Sequence, residues 1–483
     1  MNLSELLKPW LKTELAHDCI VQGLQNDSRS IQTGDLFIAY PGAAADGRQF
    51  INKAISAGAV AIAYEPAHFD TANLPKEIPC VAIPQLAEYL GAVAKRFYKN
   101  PSANMQVIGV TGTNGKTTIA YQLAQAHSLL GHKSAYIGTI GEGEVNALKP
   151  LNITTPDALC LQKLMHEYQQ QGIEYVCMEV SSHALSQHRV DAIEFNQALY
   201  TNLTLDHLDY HHTMEEYGAA KALLFARPEL QYAIVNQDDP YHQLMQDVIK
   251  PQVKVLTYGL HDQAEIRAVD WHMDIQGTTI NTHSPWGEHS IQIQALGQFN
   301  IYNSLAIFTS LLASGYSIEQ VVHVMKQLKS APGRMEIVAS KPYVLVDYAH
   351  TPDALENVLT TLNQIKQGRL WVVFGCGGDR DKSKRPIMGK VASLYADKIV
   401  VTSDNPRSEV PDLIIEDIVQ GIPSTISVTK QANREEAIHF ALSEAAQDDI
   451  ILIAGKGHEA YQQIGQVKHK FSDQEVVKRL LSQ

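Results

Sequence analysis

Apolar residues along this chain fall in short runs separated by amphipathic stretches. Asp35-Leu36-Phe37-Ile38-Ala39-Tyr40 reads as a strand closed by Pro41-Gly42. A helical pattern follows from Ile51 to Gly58, then a second strand at Ala59-Val60-Ala61-Ile62-Ala63. Asn100-Pro101-Ser102 is a linker signal. Gln106-Val107-Ile108-Gly109-Val110 predicts a strand running into a glycine loop, with a helix from Lys116 to Leu130 behind it. Tyr175 to Val180 predicts another buried strand. Between 255 and 297 the pattern alternates, as in Thr279-Ile280-Asn281 and Ser290-Ile291-Gln292-Ile293, which predicts antiparallel strands. Past the break at Ala331-Pro332-Gly333-Arg334, helical stretches separate four apolar runs: Tyr343–Val346, Leu370–Phe374, Ile399–Val401 and Ile450–Ala454. That is the signature of a parallel, doubly wound sheet. Its binding groups belong just past the carboxyl ends of the strands, where Asp347, 375–380, 404–407 and 455–459 fall.

The length of 483 residues exceeds one ordinary core. The breaks divide it into three α/β domains: 1–102, 103–332 with the added antiparallel strands, and 333–483 with a Rossmann-like parallel sheet. A net charge of −13 disfavours a nucleic-acid surface, so anionic ligands must be held by local basic groups. The five cysteines are scattered without metal spacing, which fits a reduced compartment. Met1-Asn2-Leu3-Ser4-Glu5 opens no leader pattern, and no apolar run reaches the ~18 residues of a membrane span. A cytoplasmic protein is expected. No repeat or low-complexity segment is visible.

The loop Thr111-Gly112-Thr113-Asn114-Gly115-Lys116-Thr117 lies between the predicted strand and helix. Gly112 and Gly115 let backbone N–H groups turn toward phosphate oxygens. Lys116 supplies a point charge, and the Thr117 hydroxyl suits Mg²⁺. The strict spacing of motor-type ATPases is absent, since the residue five before Gly115 is Val110. The tetrapeptide Asp404-Asn405-Pro406-Arg407 alone reads as a polar turn; beside a phosphate loop it points to an ATP-driven enzyme handling a free carboxylate.

Residues 111–118 (TGTNGKTT) resemble the loop of the Mur ligases and of folylpolyglutamate synthetases. Further blocks follow in the Mur ligase order: Glu179-Val180-Ser181-Ser182-His183, the stretch 201–211, Ala219-Ala220-Lys221, Gly297 to Asn303, Gly333-Arg334, and Asp347 to Pro352. Asp27-Ser28-Arg29, 374–385 (FGCGGDRDKSKR), the tetrapeptide and 454–459 (AGKGHE) are similar to the branch of the family that adds meso-2,6-diaminopimelate. The resemblance implies three domains, for a UDP-sugar, for ATP and for an incoming amino acid. It implies amide formation at the D-Glu carboxylate of UDP-N-acetylmuramoyl-L-Ala-D-Glu through an acyl phosphate, in peptidoglycan precursor synthesis, by an enzyme expected to be a monomer.

Carried over position by position, the resemblance assigns Gly112, Thr113, Asn114, Gly115, Lys116, Thr117, Thr118, Asn300, Arg334 and Asp347 to ATP. It gives Lys116, Glu179, His207 and Lys221 to catalysis, and Thr117, Glu179, His207 and a carbamate formed from CO2 on Lys221 to two Mg²⁺ ions. His207 reads otherwise as a hydrogen-bonding histidine, and Lys221 as a plain phosphate contact. Ser28, Thr154, Thr155, Ser181, Gln187 and Arg189 fall to the UDP-sugar-peptide, with backbone-mediated uridine contacts near Ala43 to Ala45. Arg380, Asp404, Asn405, Pro406, Arg407, Gly455 and Glu459 fall to diaminopimelate, with Arg407 forking onto the distal carboxylate and Glu459 accepting from the distal ammonium. An L-lysine-adding ligase of the same family and a non-catalytic nucleotide-binding scaffold are the alternatives. The stretch 240–290 carries no readable motif.

Overall fold

The structure, a computed structural model, describes residues 1–42 and 45–482. The expected uridine contacts at Ala43 and Ala44 lie outside the described residues. The chain parts into two compact units. One comprises 1–116, 127–235 and 239–255, the other 117–126, 236–238 and 256–483.

The first unit opens with a parallel sheet ordered β1 (Gly23–Gln25), β2 (Asp35–Ala39), β3 (Ala61–Tyr64) and β4 (Cys80–Ala82). Every residue of β2 and β3 is buried, as expected of strands covered on both faces. The helix Leu86–Phe97 buries Leu86, Leu90, Val93 and Ala94 at helical spacing, in one core with Leu36, Ile38 and Ala63. A second sheet holds β5 (Gln106–Thr111), β6 (Ser134–Gly138), β7 (Gly141–Gly143), β8 (Tyr175–Glu179), β9 (Gln197–Tyr200) and β10 (Tyr232–Asn236), in the order β10-β9-β5-β8-β6-β7. All its pairings but β6–β7 are parallel. β5 is central and runs into the glycine loop, and the helix Lys116–Leu129 follows.

In the second unit, β11 (Lys254–Gly259) leads into a meander of β12 (Ile266–Asp274), β13 (Gly277–Ser284) and β14 (Gly287–Ile293). The antiparallel expectation holds for β12–β14, whereas β11 pairs parallel with β12. The other sheet contains β15 (Glu336–Ser340), β16 (Tyr343–Asp347), β17 (Leu370–Phe374), β18 (Lys398–Thr402), β19 (Val428–Gln431) and β20 (Ile450–Ala454), ordered β15-β16-β20-β17-β18-β19. All but the edge strand β15 are parallel. The four predicted runs are β16, β17, β18 and β20. β19 escaped because its burial is only partial and its sequence, Val-Thr-Lys-Gln, is polar. A hairpin of β21 (Tyr461–Ile464) and β22 (Val467–Lys470) follows.

Candidate functional site

In the first unit the glycine loop is held by the segment Thr201 to Thr204. The Thr113 N–H donates to Asn202 O at 2.8 Å and the Asn114 N–H to Asn202 Oδ1 at 2.9 Å. The Thr201 hydroxyl donates to Asn114 O at 2.6 Å. Gly112 has φ +146°, and a side chain there would run into the Thr201 hydroxyl, so only glycine fits. Lys116 Nζ donates to Gly112 O and Thr113 O, both at 2.8 Å, and so curls back over the loop.

Lys221 Nζ also donates to Gly112 O, at 3.0 Å, and stands 4.3 Å from the centre of the Tyr217 ring. Lys221 is almost fully buried. Burial first, then the neighbouring Lys116 charge, push its pKa well below the ordinary lysine range, with Asp206 acting in the opposite sense. His207 takes the left-handed conformation, φ 54°, and its ring meets those of Tyr217 and His183 edge-on at 6.0 and 4.9 Å. Burial lowers its pKa too, Asp206 opposing and both lysines assisting.

Glu179, at the carboxyl end of β8, is buried. Its Oε1 accepts from the Tyr136 hydroxyl at 2.5 Å and from the Thr139 N–H at 2.9 Å; its Oε2 accepts from the Thr139 hydroxyl at 3.3 Å. Tyr136 stands opposite Cys177 in the β6–β8 register and so shares a sheet face with Glu179, two residues on. The Thr139 hydroxyl also meets that of Thr154 at 3.1 Å. The Thr155 hydroxyl donates to Glu179 O at 2.8 Å and accepts from the Ser181 N–H at 3.1 Å. Arg189 donates to Thr155 O at 2.9 Å and to the Gln187 side chain. Thr154, Thr155, Ser181, Gln187 and Arg189 thus form one cluster beside Glu179. Ser28 is buried on the N-terminal sheet unit, next to an exposed Asp27–Arg29 pair. Among the described residues no three His, Cys, Asp or Glu side chains are grouped closely enough to hold a metal.

In the second unit Asn300 lies in the first turn of the helix Gln298–Ala313, its amide donating to Leu296 O at 2.8 Å. Asp347 accepts from the Met335 and Ala349 N–H groups at 2.7 Å each, and burial raises its pKa despite nearby Arg334. Arg334 stacks over the Tyr348 ring, 4.7 Å from its centre, with a buried Nε that finds no acceptor among the described residues. Thr117 and Thr118 lie in the helix Lys116–Leu129, and Thr117 is buried.

The remaining candidates gather past the carboxyl ends of β17, β18 and β20. Arg407 Nη1 donates to Gly378 O at 2.6 Å. A Cβ on Gly377 would stand 3.0 Å from that Nη1 and 3.8 Å from Arg380 Cγ, so both arginines flank one glycine. Gly455, φ +115°, passes close to Asp404: a Cβ there would lie 3.3 Å from Asp404 Oδ2. Asn405 Nδ2 donates to Glu459 Oε2 at 2.8 Å. Residues 404–407 are no free turn. They are pinned by the β21–β22 hairpin: the Arg407 N–H donates to Gln463 O at 3.2 Å, the Gly465 N–H to Arg407 O at 2.8 Å, and Gln462 Nε2 to Asp404 O at 2.8 Å. Two buried arginines brace the neighbourhood. Arg434 pairs with Asp473 at 2.8 Å and donates to Ala454 O at 3.0 Å. Arg385 pairs with Glu409 and Asp417, both at 2.9 Å. Sequence reasoning passed over Tyr136, Thr139, Lys456, Gln462, Arg434 and the Arg385–Glu409 pair. Lys456 and Arg385 alone carried a signal, their places inside the blocks 454–459 and 374–385.

Family models described as "Mur ligase family, catalytic domain", "Mur ligase middle domain" and "Mur ligase, glutamate ligase domain" match residues 20–98, 110–311 and 333–457. The UDP-N-acetylmuramoyl-L-alanyl-D-glutamate--2,6-diaminopimelate ligase of Neisseria meningitidis serogroup A is 46% identical over 465 residues, covering 95% of this chain and 94% of its own. The protein of the same name from Chromobacterium violaceum is 44% identical over 467 residues, covering 96% and 94%. A solved structure of a ligase with that name superposes with a TM-score of 0.77 at 36% identity, covering 100% and 99% of the two chains. The MurF ligase of Thermotoga maritima in complex with ADP shares the fold, with a TM-score of 0.64 at 18% identity over 96% and 97%.

Proposed function

The chain belongs to the Mur ligase family, and on that premise we propose that it joins meso-2,6-diaminopimelate to the D-Glu carboxylate of UDP-N-acetylmuramoyl-L-Ala-D-Glu at the expense of ATP. A carboxylate is a poor acyl donor because its leaving group is poor. Phosphorylation by ATP gives an acyl phosphate, which the amine attacks with loss of phosphate. The protein's work is then positioning and neutralisation of developing charge.

Residues 1–102 are assigned to the UDP-sugar, 103–332 to ATP and 333–483 to the amino acid. Lys116 and the glycine loop 112–118 receive the ATP phosphates, and Asn300, Arg334 and Asp347 serve the nucleotide. Ser28, Thr154, Thr155, Ser181, Gln187 and Arg189 hold the UDP-sugar-peptide, which supports placing its reacting carboxylate near Glu179.

The oxygens of Glu179 and Thr117 are hard donors of the kind Mg²⁺ takes, with the His207 imidazole a less usual ligand, whereas an unmodified Lys221 offers it no oxygen. When bound, Mg²⁺ neutralises the phosphate oxygens. The depressed pKa of Lys221 supports carbamylation, because the neutral amine is what reacts with CO2. The product is a carboxylate suited to a second cation.

The observation that carries the substrate reading is the pairing of opposite charges in the last pocket. Arg407 and Arg380 both run past Gly377 and supply the positive charge for a distal carboxylate, while Glu459, held by Asn405, supplies the negative charge for a distal ammonium. Offering diaminopimelate and lysine together and analysing the product tests it. Incorporation of diaminopimelate is expected; a preference for lysine, or ATP hydrolysis indifferent to the UDP-sugar-dipeptide, would overturn it.

A further inference from the structure

Lys456 is the one fully buried ammonium among the described residues of the amino-acid pocket, and no step of the reaction uses it. Its Nζ has three acceptors: Glu459 Oε2 at 2.9 Å, Asn405 Oδ1 at 3.2 Å and Asp404 Oδ1 at 3.5 Å. An ammonium has three N–H donors, so this set exhausts it and none is left for a ligand. We infer that Lys456 is a positioning residue that fixes the donor and acceptor pattern by which the pocket recognises an amino acid bearing both an ammonium and a carboxylate on its far end. The inference rests on the proposed substrate.

The pattern follows atom by atom. Asn405 Oδ1 also accepts from the Gln463 N–H at 2.8 Å, so both its lone pairs are engaged and the amide cannot turn over without losing two bonds. Its NH2 must then face Glu459, to which it gives one N–H, leaving the other for a ligand. Glu459 Oε2 takes both Lys456 and Asn405, while Oε1 has no partner among the described residues and is left to an incoming ammonium. The Lys456 charge also offsets the repulsion between Asp404 and Glu459, which it contacts together. Without it two carboxylates would share the pocket with no cation between them and the Asn405 amide would lose one of its three bonds, and the partner left unpaired is costly in so buried a place.

The test is steady-state kinetics of the full-length enzyme with Lys456→Met, varying diaminopimelate, ATP and the UDP-sugar-dipeptide in turn. The expected result is a KM for diaminopimelate raised about 30-fold, with the other two KM values within about twofold. Lys456→Arg should recover part of the loss. An unchanged KM for diaminopimelate overturns the inference. So does a parallel rise in all three KM values, or a fall in kcat alone, since either marks a general structural role. If Lys456→Met does not fold, Lys456→Gln is judged by the same criteria. A wild-type enzyme that does not incorporate diaminopimelate at all refutes the substrate reading instead, and is scored before any variant.

Discussion

Lys116 and Lys221 donate to one and the same backbone oxygen, that of Gly112, at 2.8 and 3.0 Å. Two cations on one acceptor repel each other, and the buried one yields its proton more readily. Lys221→Ala should therefore abolish turnover, with partial recovery on adding short-chain carboxylic acids that replace the carbamate. Mass spectrometry or electron density showing Lys221 bare in active enzyme would refute the modification.

Tyr136→Phe keeps the ring and removes the hydroxyl, with its 2.5 Å bond to Glu179 and the 3.4 Å bond it accepts from the Ile140 N–H. A hydrogen bond to a charged group contributes about 1.5–3 kcal/mol, and loss of a group that orients a metal ligand typically costs about 10–100-fold. The apparent affinity for Mg²⁺, measured by titration, should fall in that range while the KM for diaminopimelate stays put.

Arg407→Ala tests the proposed fork on the distal carboxylate. The KM for diaminopimelate should rise on the order of 30-fold or more, against a small change for ATP. Equal effects on both would show that Arg407 does not read the amino acid.

His127 is fully buried, its ring stacked on Tyr175 at 3.7 Å, and burial with nearby His132 lowers its pKa from 6.5 to about 3. A base depressed by folding is neutral in the native state. Its contribution is present above pH 6.5 and is lost as pH falls from there toward 3, by about 1.4 kcal/mol per pH unit. Melting curves should show a shallower acid decline for His127→Phe than for the wild type; identical slopes would discount this group.

The Arg434–Asp473 pair is fully buried on both sides. Asp473→Asn strands the guanidinium and should destabilise the protein by about 3–5 kcal/mol, while replacing both by apolar residues of similar volume should restore much of the loss. Thermal or urea unfolding reads this directly.

Local patterns made much of this protein legible. The run into Gly112, the adjacent Gly115-Lys116 and the apolar cores of β16, β17, β18 and β20 are neighbours in sequence, so their spacing carries their meaning. Tyr136 meets Glu179 across 43 residues, and Lys456 meets Asn405 across 51. Only strand register and strand order bring such partners together, and neither is written in a short window of residues. β11 was misjudged for the same reason: alternation marks a half-buried strand and not the direction of its neighbour.

The hairpin grips the tetrapeptide at Arg407 through main-chain atoms alone. A change of side chain at 407 therefore leaves the hairpin's hold intact and releases only the bond to Gly378 O. The backbone there, at φ 51°, narrows the choice. Asparagine, aspartate and glycine settle into that conformation readily, whereas valine, isoleucine and threonine do not. Replacements at this position should follow that preference.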